Sequence, residues 1–350
     1  SLFTGGRILS STVTSSAVFG PTLSGLTMGK ANLDEFGATM LALAQTRPAL
    51  RVVTSDSRGS GKLVGFGKTL PNQIVEVGIA EQNLVGIAAG LVAAGKTVFA
   101  VSPACFLTAR SLEQIKNDVC YSDRAVKLVG ISAGVSYGSL GSTHHSLHDF
   151  AVLRTFHNLA ILAPADNWET RAALEAAIDY PGPVYLRFGK RPMPNLHGPA
   201  SNFTIGKAIT VREPGPEVTV DITFVATGEA VAPAYQAVDL LGEAGRTCRV
   251  ISMHTVKPLD DAALVAAARR TCALITVEEH SVHGGLGGAC AEVLMQAGFA
   301  LPFKIVAIPD EYTATGSQPE IFAHYGITPT GLAQVAEQLL AGAGASHAAR

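Results

Sequence analysis

The stretch Val75-Glu76-Val77-Gly78-Ile79-Ala80-Glu81-Gln82-Asn83, running on from Leu84 to Gly95, decides how this chain is read. A strand-like apolar run gives way at Glu81 to a helix, and from Leu84 to Ala94 that helix holds only Leu, Val, Ile, Ala and Gly. A helix without a polar face is expected to be buried. A carboxylate at its head is costly to bury unless something binds it. Two readings follow: Glu81 meets a ligand, or it favours the positive end of the helix dipole.

Working outward, 350 residues suffice for two domains with substantial cores. The chain is rich in Ala, Gly, Val and Leu and only 15% charged, which suits an α/β protein with much buried or subunit-covered surface. A net charge of -2 gives no footprint for nucleic acid or a membrane surface. Cys105, Cys120, Cys248, Cys272 and Cys290 are odd in number and scattered, with no CxxC or Cys/His metal spacing. They read as buried free thiols in a reducing compartment, the cytoplasm, and no metal site is expected in this chain. No apolar run is long and clean enough to span a bilayer. Residues 1–29 read as a Ser/Thr/Gly-rich extension without a signal pattern, the folded part starting near Met28.

The fold class is α/β, with two domains that each hold a mainly parallel sheet flanked by helices. In the first, residues 30–189, strands are expected near 51–56, 74–77, 96–102, 126–132, 159–163 and 184–188. Helices start at Asn32 and Trp168, and an amphipathic helix spans Ser111–Val119. Alternation of this kind gives a parallel sheet covered on both faces. Residues 190–205 read as a linker, Pro/Gly-rich and irregular from Gly189 to Pro199. A second α/β pattern fills 206–345, and its last helix, Gly331–Leu340, precedes an Ala/Gly tail expected to fray.

Several motifs carry a resemblance in the same order. They are the Glu81 segment, Cys105-Phe106-Leu107-Thr108-Ala109-Arg110 onward, Gly141-Ser142-Thr143-His144-His145-Ser146-Leu147-His148-Asp149, Leu162-Ala163-Pro164-Ala165-Asp166, and Val250 to Asp260 with Glu278-Glu279-His280 and the Gly284 to Gly288 run. Together they resemble the pyrimidine-binding and C-terminal domains of transketolases. The Gly-Asp-Gly segment with which that family grips diphosphate and metal is absent from this sequence. The resemblance therefore implies the C-terminal subunit of a split, thiamine-diphosphate-dependent enzyme. Thiamine diphosphate and Mg²⁺ would be held largely by a diphosphate-binding partner subunit, in an α2β2 assembly.

By the same resemblance, Glu81 bonds N1' of the cofactor's aminopyrimidine, with Glu76 its rival, and Phe106 stacks on the ring. Asp56 lies near the cofactor and the subunit interface, though it would look as natural in a turn. His144 faces substrate and acts in catalysis, His145 and His148 add imidazoles, and Lys190 and Arg191 take an anionic tail or are ordinary linker charges. Leu140 stands where many transketolases carry an Asp that reads a sugar hydroxyl, and Ser132 where several carry His. Losing such contacts costs affinity for the usual sugars, so the substrate is expected to be another ketose, deoxy or branched, or a carrier-bound acyl acceptor. The expected activity is two-carbon ketol transfer. The rivals are a 2-oxo acid dehydrogenase β subunit that delivers an acyl unit to a lipoyl or carrier-protein thiol, and an inactive scaffold. The glycine run lacks the acidic residue of a dinucleotide site.

Overall fold

A computed structural model describes residues 25–198, 200–215 and 218–348. The expected extension lies outside the described residues as far as residue 24. Among the described residues, the first domain is built on a seven-stranded sheet. Edge to edge it runs Thr255–Lys257, Ala160–Leu162, Val184–Phe188, Lys127–Ile131, Thr97–Pro103, Leu50–Thr54 and Ile74–Glu76. All pairs are parallel except the first. The central strands read as continuous apolar runs because both faces are covered. The one charge on the buried strand Lys127–Ile131 is its first residue. Lys127 Nζ donates to the carbonyls of Tyr180 at 2.8 Å and Gly182 at 2.9 Å, and burial lowers it to about 8.

Parallel pairing puts the carboxyl ends of these strands at one edge. From Leu50–Thr54 the chain passes to the outer strand Ile74–Glu76 and then returns across it to Thr97–Pro103. The switch point therefore lies between Thr54 and Pro103, where open α/β sheets place their ligands. Ser55 Oγ and Ser102 Oγ bond there at 2.7 Å.

The second sheet runs Phe303–Ile308, Thr271–Ser281, Val220–Ala226, Cys248–Ser252 and Ile209–Arg212, the last antiparallel. The two domains interlock. Thr255–Lys257 belongs in sequence to the second domain yet pairs with Ala160–Leu162 of the first, and Val256 packs into the first domain's core. Val135 and Ala165 pack in return into the core of the second.

The structure differs from the sequence reading at several places. Pro192–Pro194, expected to be irregular, is a short strand paired with Met28–Ala31. Proline is tolerated there because the pair is two-stranded, with an open edge. The amphipathic helix expected over Ser111–Val119 is broken. A helix Ala104–Arg110 ends at Ser111, and Ile115–Tyr121 winds in wider π turns. Thr108 and Ser111 bond back to the carbonyls of Ala104 at 2.7 Å and Leu107 at 2.5 Å, which bends helices. The helix Glu81–Ala93 buries Leu84, Val85, Ala88 and Ala89, but Gly90, Ala93 and Ala94 are exposed, since this chain covers one side only. The last helix extends over Pro329–Ala348, because alanine is the best helix former. The glycine run Gly284–Gly288 wraps a buried carboxylate. Glu278 accepts from the N–H groups of Leu286 at 2.7 Å and Gly287 at 2.8 Å, and a Cβ on Gly285 would collide with it.

A polar seam joins the domains. Arg187 donates from Nε to Asp149 at 2.8 Å and from Nη2 to the Glu279 carbonyl at 2.7 Å. Gln318 Nε2 donates at 2.8 Å to both Glu229 and Glu279, so one amide links two buried carboxylates. Burial raises both carboxyls, and Glu229 beside it raises Glu279 further; burial also raises Glu278 to about 7. A second clasp fixes the linker. His197 lies 3.0 Å from Asp166 and 3.0 Å from Glu169. Burial opposes its charge, but the two carboxylates overcome that and lift it to about 10.

These groups set a pH dependence. An acid whose folded pKa is raised holds its proton more firmly folded than unfolded, so stability falls as pH climbs from the ordinary 4.5 through the raised value. His197 contributes fully below about 6.5 and its share is lost as pH passes about 10. We therefore expect these groups to pull the melting temperature down as pH rises from about 5 to 8, against the buried His280, whose lowering to about 4 adds stability as pH climbs toward 6.5. Glu279→Gln should flatten the part of that fall near neutrality. An unchanged slope in the variant would remove the Glu229–Glu279 pair as its source.

Candidate active site

At the carboxyl edge of the first sheet, Glu81 is the first residue of its helix and 4% exposed. In the first turn it favours the helix dipole, as the second reading has it, without a hydrogen bond to the helix backbone. It meets the Arg110 guanidinium instead, whose Nη1 lies 3.0 and 3.1 Å from the two oxygens. Arg110 Cζ sits 4.2 Å from the centroid of the Phe106 ring. Phe106 and Arg110 are four residues apart on the helix Ala104–Arg110 and so share a face.

His144 meets Phe106 edge-on at 5.4 Å between centroids and Tyr137 at 5.5 Å. Thr143 Oγ1 lies 3.0 Å from its Nδ1. Lys190 Nζ stands 4.2 Å over the Tyr137 ring. His148 Nε2 lies 3.0 Å from Thr108 Oγ1, two residues along the helix from Phe106. These contacts link Glu81, Phe106, His144 and Lys190 in one chain through Arg110 and Tyr137, whereas Thr108, which meets His148, is turned to a different face of the helix from Phe106. Leu140, 53% exposed, stands on the same loop as His144.

Three residues take other places. Glu76 accepts from Thr54 Oγ1 at 2.8 Å and from the Asp56 and Gly78 N–H groups at 2.6 and 3.2 Å, with Arg58 at 3.3 Å. These bonds hold its carboxyl below the usual range against a partial burial that would raise it, and they make it a loop anchor. His145 does not face the cleft. It is buried, with Nε2 2.9 Å from the Gly138 carbonyl and Nδ1 2.7 Å from Thr313 Oγ1, so both ring nitrogens are engaged. Arg191 also turns inward. Its guanidinium lies 5.5 Å over the Phe322 ring, in the seam beside Glu229 and Glu279. Asp56 is exposed at the strand end with φ 54°, its N–H given to Glu76.

The sequence reading does not single out Arg110, Tyr137 or Thr313. Arg110 is detectable from its i+4 spacing to Phe106. Thr313 is not, because it reaches the His144 loop from 168 residues beyond His145. Chemically, a buried carboxylate next to an aromatic face suits a flat, protonated heterocycle. Among the described residues no group of three or more His, Cys, Asp or Glu is gathered to hold a metal ion, and no helix is long and apolar enough to cross a membrane.

Comparison with known proteins gives this geometry a context. Residues 29–195 match the transketolase pyrimidine-binding domain and residues 206–332 the transketolase C-terminal domain. The chain is 47% identical to one subunit of the apulose-4-phosphate transketolase of Phocaeicola vulgatus, over 86% of this chain and 95% of that one. It is 32% identical to a 6-deoxy-6-sulfo-D-fructose transketolase subunit of Clostridium sp. (strain MSTE9), over 87% of this chain and 93% of that one. Among solved structures it resembles a split-gene transketolase, described as an inactive β4 tetramer, with a TM-score of 0.79 and 34% identity over 89% of this chain and 99% of that one.

Thr313 acts as a strut for the loop that carries His144: besides its contact with His145, its hydroxyl bonds Ser142 Oγ at 2.9 Å and its N–H donates to that oxygen at 3.0 Å. Thr313→Val should speed amide hydrogen exchange across residues 138–145 by about tenfold, the loss of roughly one net hydrogen bond. Unchanged exchange would show that the loop does not depend on it.

Proposed function

This chain belongs to the transketolase family, and we propose that it grips the pyrimidine end of thiamine diphosphate in a split transketolase that moves a two-carbon ketol unit from a ketose to an acceptor. The observation that carries the reading is the buried Glu81 carboxylate, which shares the Arg110 guanidinium with the Phe106 ring at the carboxyl edge of the sheet. When bound, thiamine diphosphate supplies a carbon nucleophile that cleaves the bond next to a ketose carbonyl. Glu81 holds a proton at N1' of the aminopyrimidine, in a pocket whose low dielectric strengthens that bond. Phe106 offers the ring a face. His144 donates to the substrate oxygen that gains charge, and His148 and Lys190 serve its hydroxyl and anionic ends. Asp56 borders the cofactor at the subunit interface.

Subunits of this kind work with a partner that carries the N-terminal part of the enzyme. We assign the diphosphate and Mg²⁺ to that partner, since neither a Gly-Asp-Gly segment in the sequence nor a metal-ligand group among the described residues is present. The pyrimidine-binding unit we take as residues 30–189 and the C-terminal unit as 206–345, joined by 190–205. An α2β2 assembly is supported by the helix Glu81–Ala93, where a Cβ on Gly90 would meet nothing within 4 Å in this chain and Ile79 nearby is 74% exposed. A cytoplasmic location suits its free cysteines, four buried as expected and Cys272, contrary to expectation, exposed, and a place in carbohydrate metabolism goes with ketol transfer. The names of the relatives favour ketol transfer over acyl delivery, and Leu140 on the His144 loop favours a sugar with altered hydroxyls. Apulose 4-phosphate is the first donor to try.

In the complex with its partner, Glu81→Gln should lower kcat/KM by about 10²–10⁴ with the melting temperature nearly unchanged. A rate like that of the unmodified chain would remove Glu81 from catalysis. Gly90→Leu should split an α2β2 species into αβ halves in sedimentation, and an intact tetramer would refute the proposed contact.

A further inference from the structure

We propose that Arg110 is an internal stand-in for the cofactor's aminopyrimidine: a latch that occupies Glu81 and Phe106 together and swings clear when the cofactor is loaded, an inference that rests on the functional reading above. The guanidinium is a planar, delocalised cation. One of its nitrogens sits between both Glu81 oxygens, at 3.0 and 3.1 Å, while its carbon lies 4.2 Å over the Phe106 ring. A protonated aminopyrimidine makes the same two demands, a ring N–H for the carboxylate and a flat face for the phenyl ring. One carboxylate and one ring face cannot serve two planar cations at once, so the contacts are mutually exclusive.

The asymmetry of exposure says which group moves. Glu81 is 4% exposed and fixed at the head of its helix, whereas the Arg110 side chain is 48% exposed at the end of a short helix. Arg110 can pass its charge to water at little cost, but the Glu81 carboxylate cannot follow. Before loading, the latch keeps a buried carboxylate paired. During loading it competes, and the fraction of chains with Arg110 swung out sets the apparent affinity.

The test uses the chain assembled with its diphosphate-binding partner, with thiamine diphosphate and Mg²⁺ titrated by calorimetry. Arg110→Ala should tighten binding about three- to tenfold, the strength of a partly exposed ion pair. Arg110→Met, which keeps the apolar stem, should do the same. Each variant should also melt about 2 °C lower than the unmodified chain when free of cofactor, and level with it when loaded. Unchanged or weaker binding in both variants overturns the latch, because Arg110 would then be indifferent to the loaded cofactor or hold it. Glu81→Gln keeps the two readings apart: if it binds and turns over normally, the functional reading fails whatever Arg110 does.

Discussion

The site depends on one buried ion pair, Arg187 with Asp149, at 2.8 Å and almost wholly out of water. Asp149 also accepts from the Tyr185 hydroxyl at 2.8 Å, and the other arm of Arg187 reaches the carbonyls of Ser146 and Glu279. Three segments therefore meet at one guanidinium: the strand Val184–Phe188, the loop that ends at Asp149, and the strand Thr271–Ser281 of the other domain. Breaking such a pair costs about 3–5 kcal/mol, because it leaves a buried charge alone. Asp149 is well satisfied: Arg187 and the Tyr185 bond hold its carboxyl below the usual range despite full burial. The loop carrying His144 starts and ends on this anchored ground.

Around that pair the fold wraps glycine backbone against carboxylates. A Cβ on Gly134 would strike Glu279, and one on Gly189 would strike Glu229. Gly134 also has φ 61°, which L side chains seldom adopt. The result is a stiff polar floor under a half-exposed cleft. Glu229 and Glu279 lie in the floor, whereas Glu81, Phe106, His144 and Lys190 line the cleft. The floor is tied by internal partners; Phe106 and His144 stay partly exposed and Lys190 exposed, while Glu81 is buried against Arg110.

Much of this is legible in the sequence because parallel strands announce themselves as apolar runs and the Glu81 segment joins strand to helix in one window. The strand Val184–Phe188 falls where its apolar run predicts, to the residue. Residues acting over long separations are not legible. Thr255–Lys257 lies in the second domain's sequence but completes the first domain's sheet, and no local period marks it. His145 and His144 are neighbours of the same type, and only the contact with Thr313 turns one inward. Lys190 and Arg191 divide in the same way, one on the Tyr137 ring and one in the seam. Adjacent identical or like-charged residues carry no signal for which faces the cleft, since that is set by the packing of distant elements.

The measurement that bears most directly on the central claim is calorimetry of thiamine diphosphate and Mg²⁺ against this chain alone, the partner subunit alone, and the two mixed in equal amounts. A shared site built from a pyrimidine half and a diphosphate half predicts tight binding only in the mixture. Tight, Mg²⁺-dependent binding by this chain alone would contradict a site shared between two polypeptides.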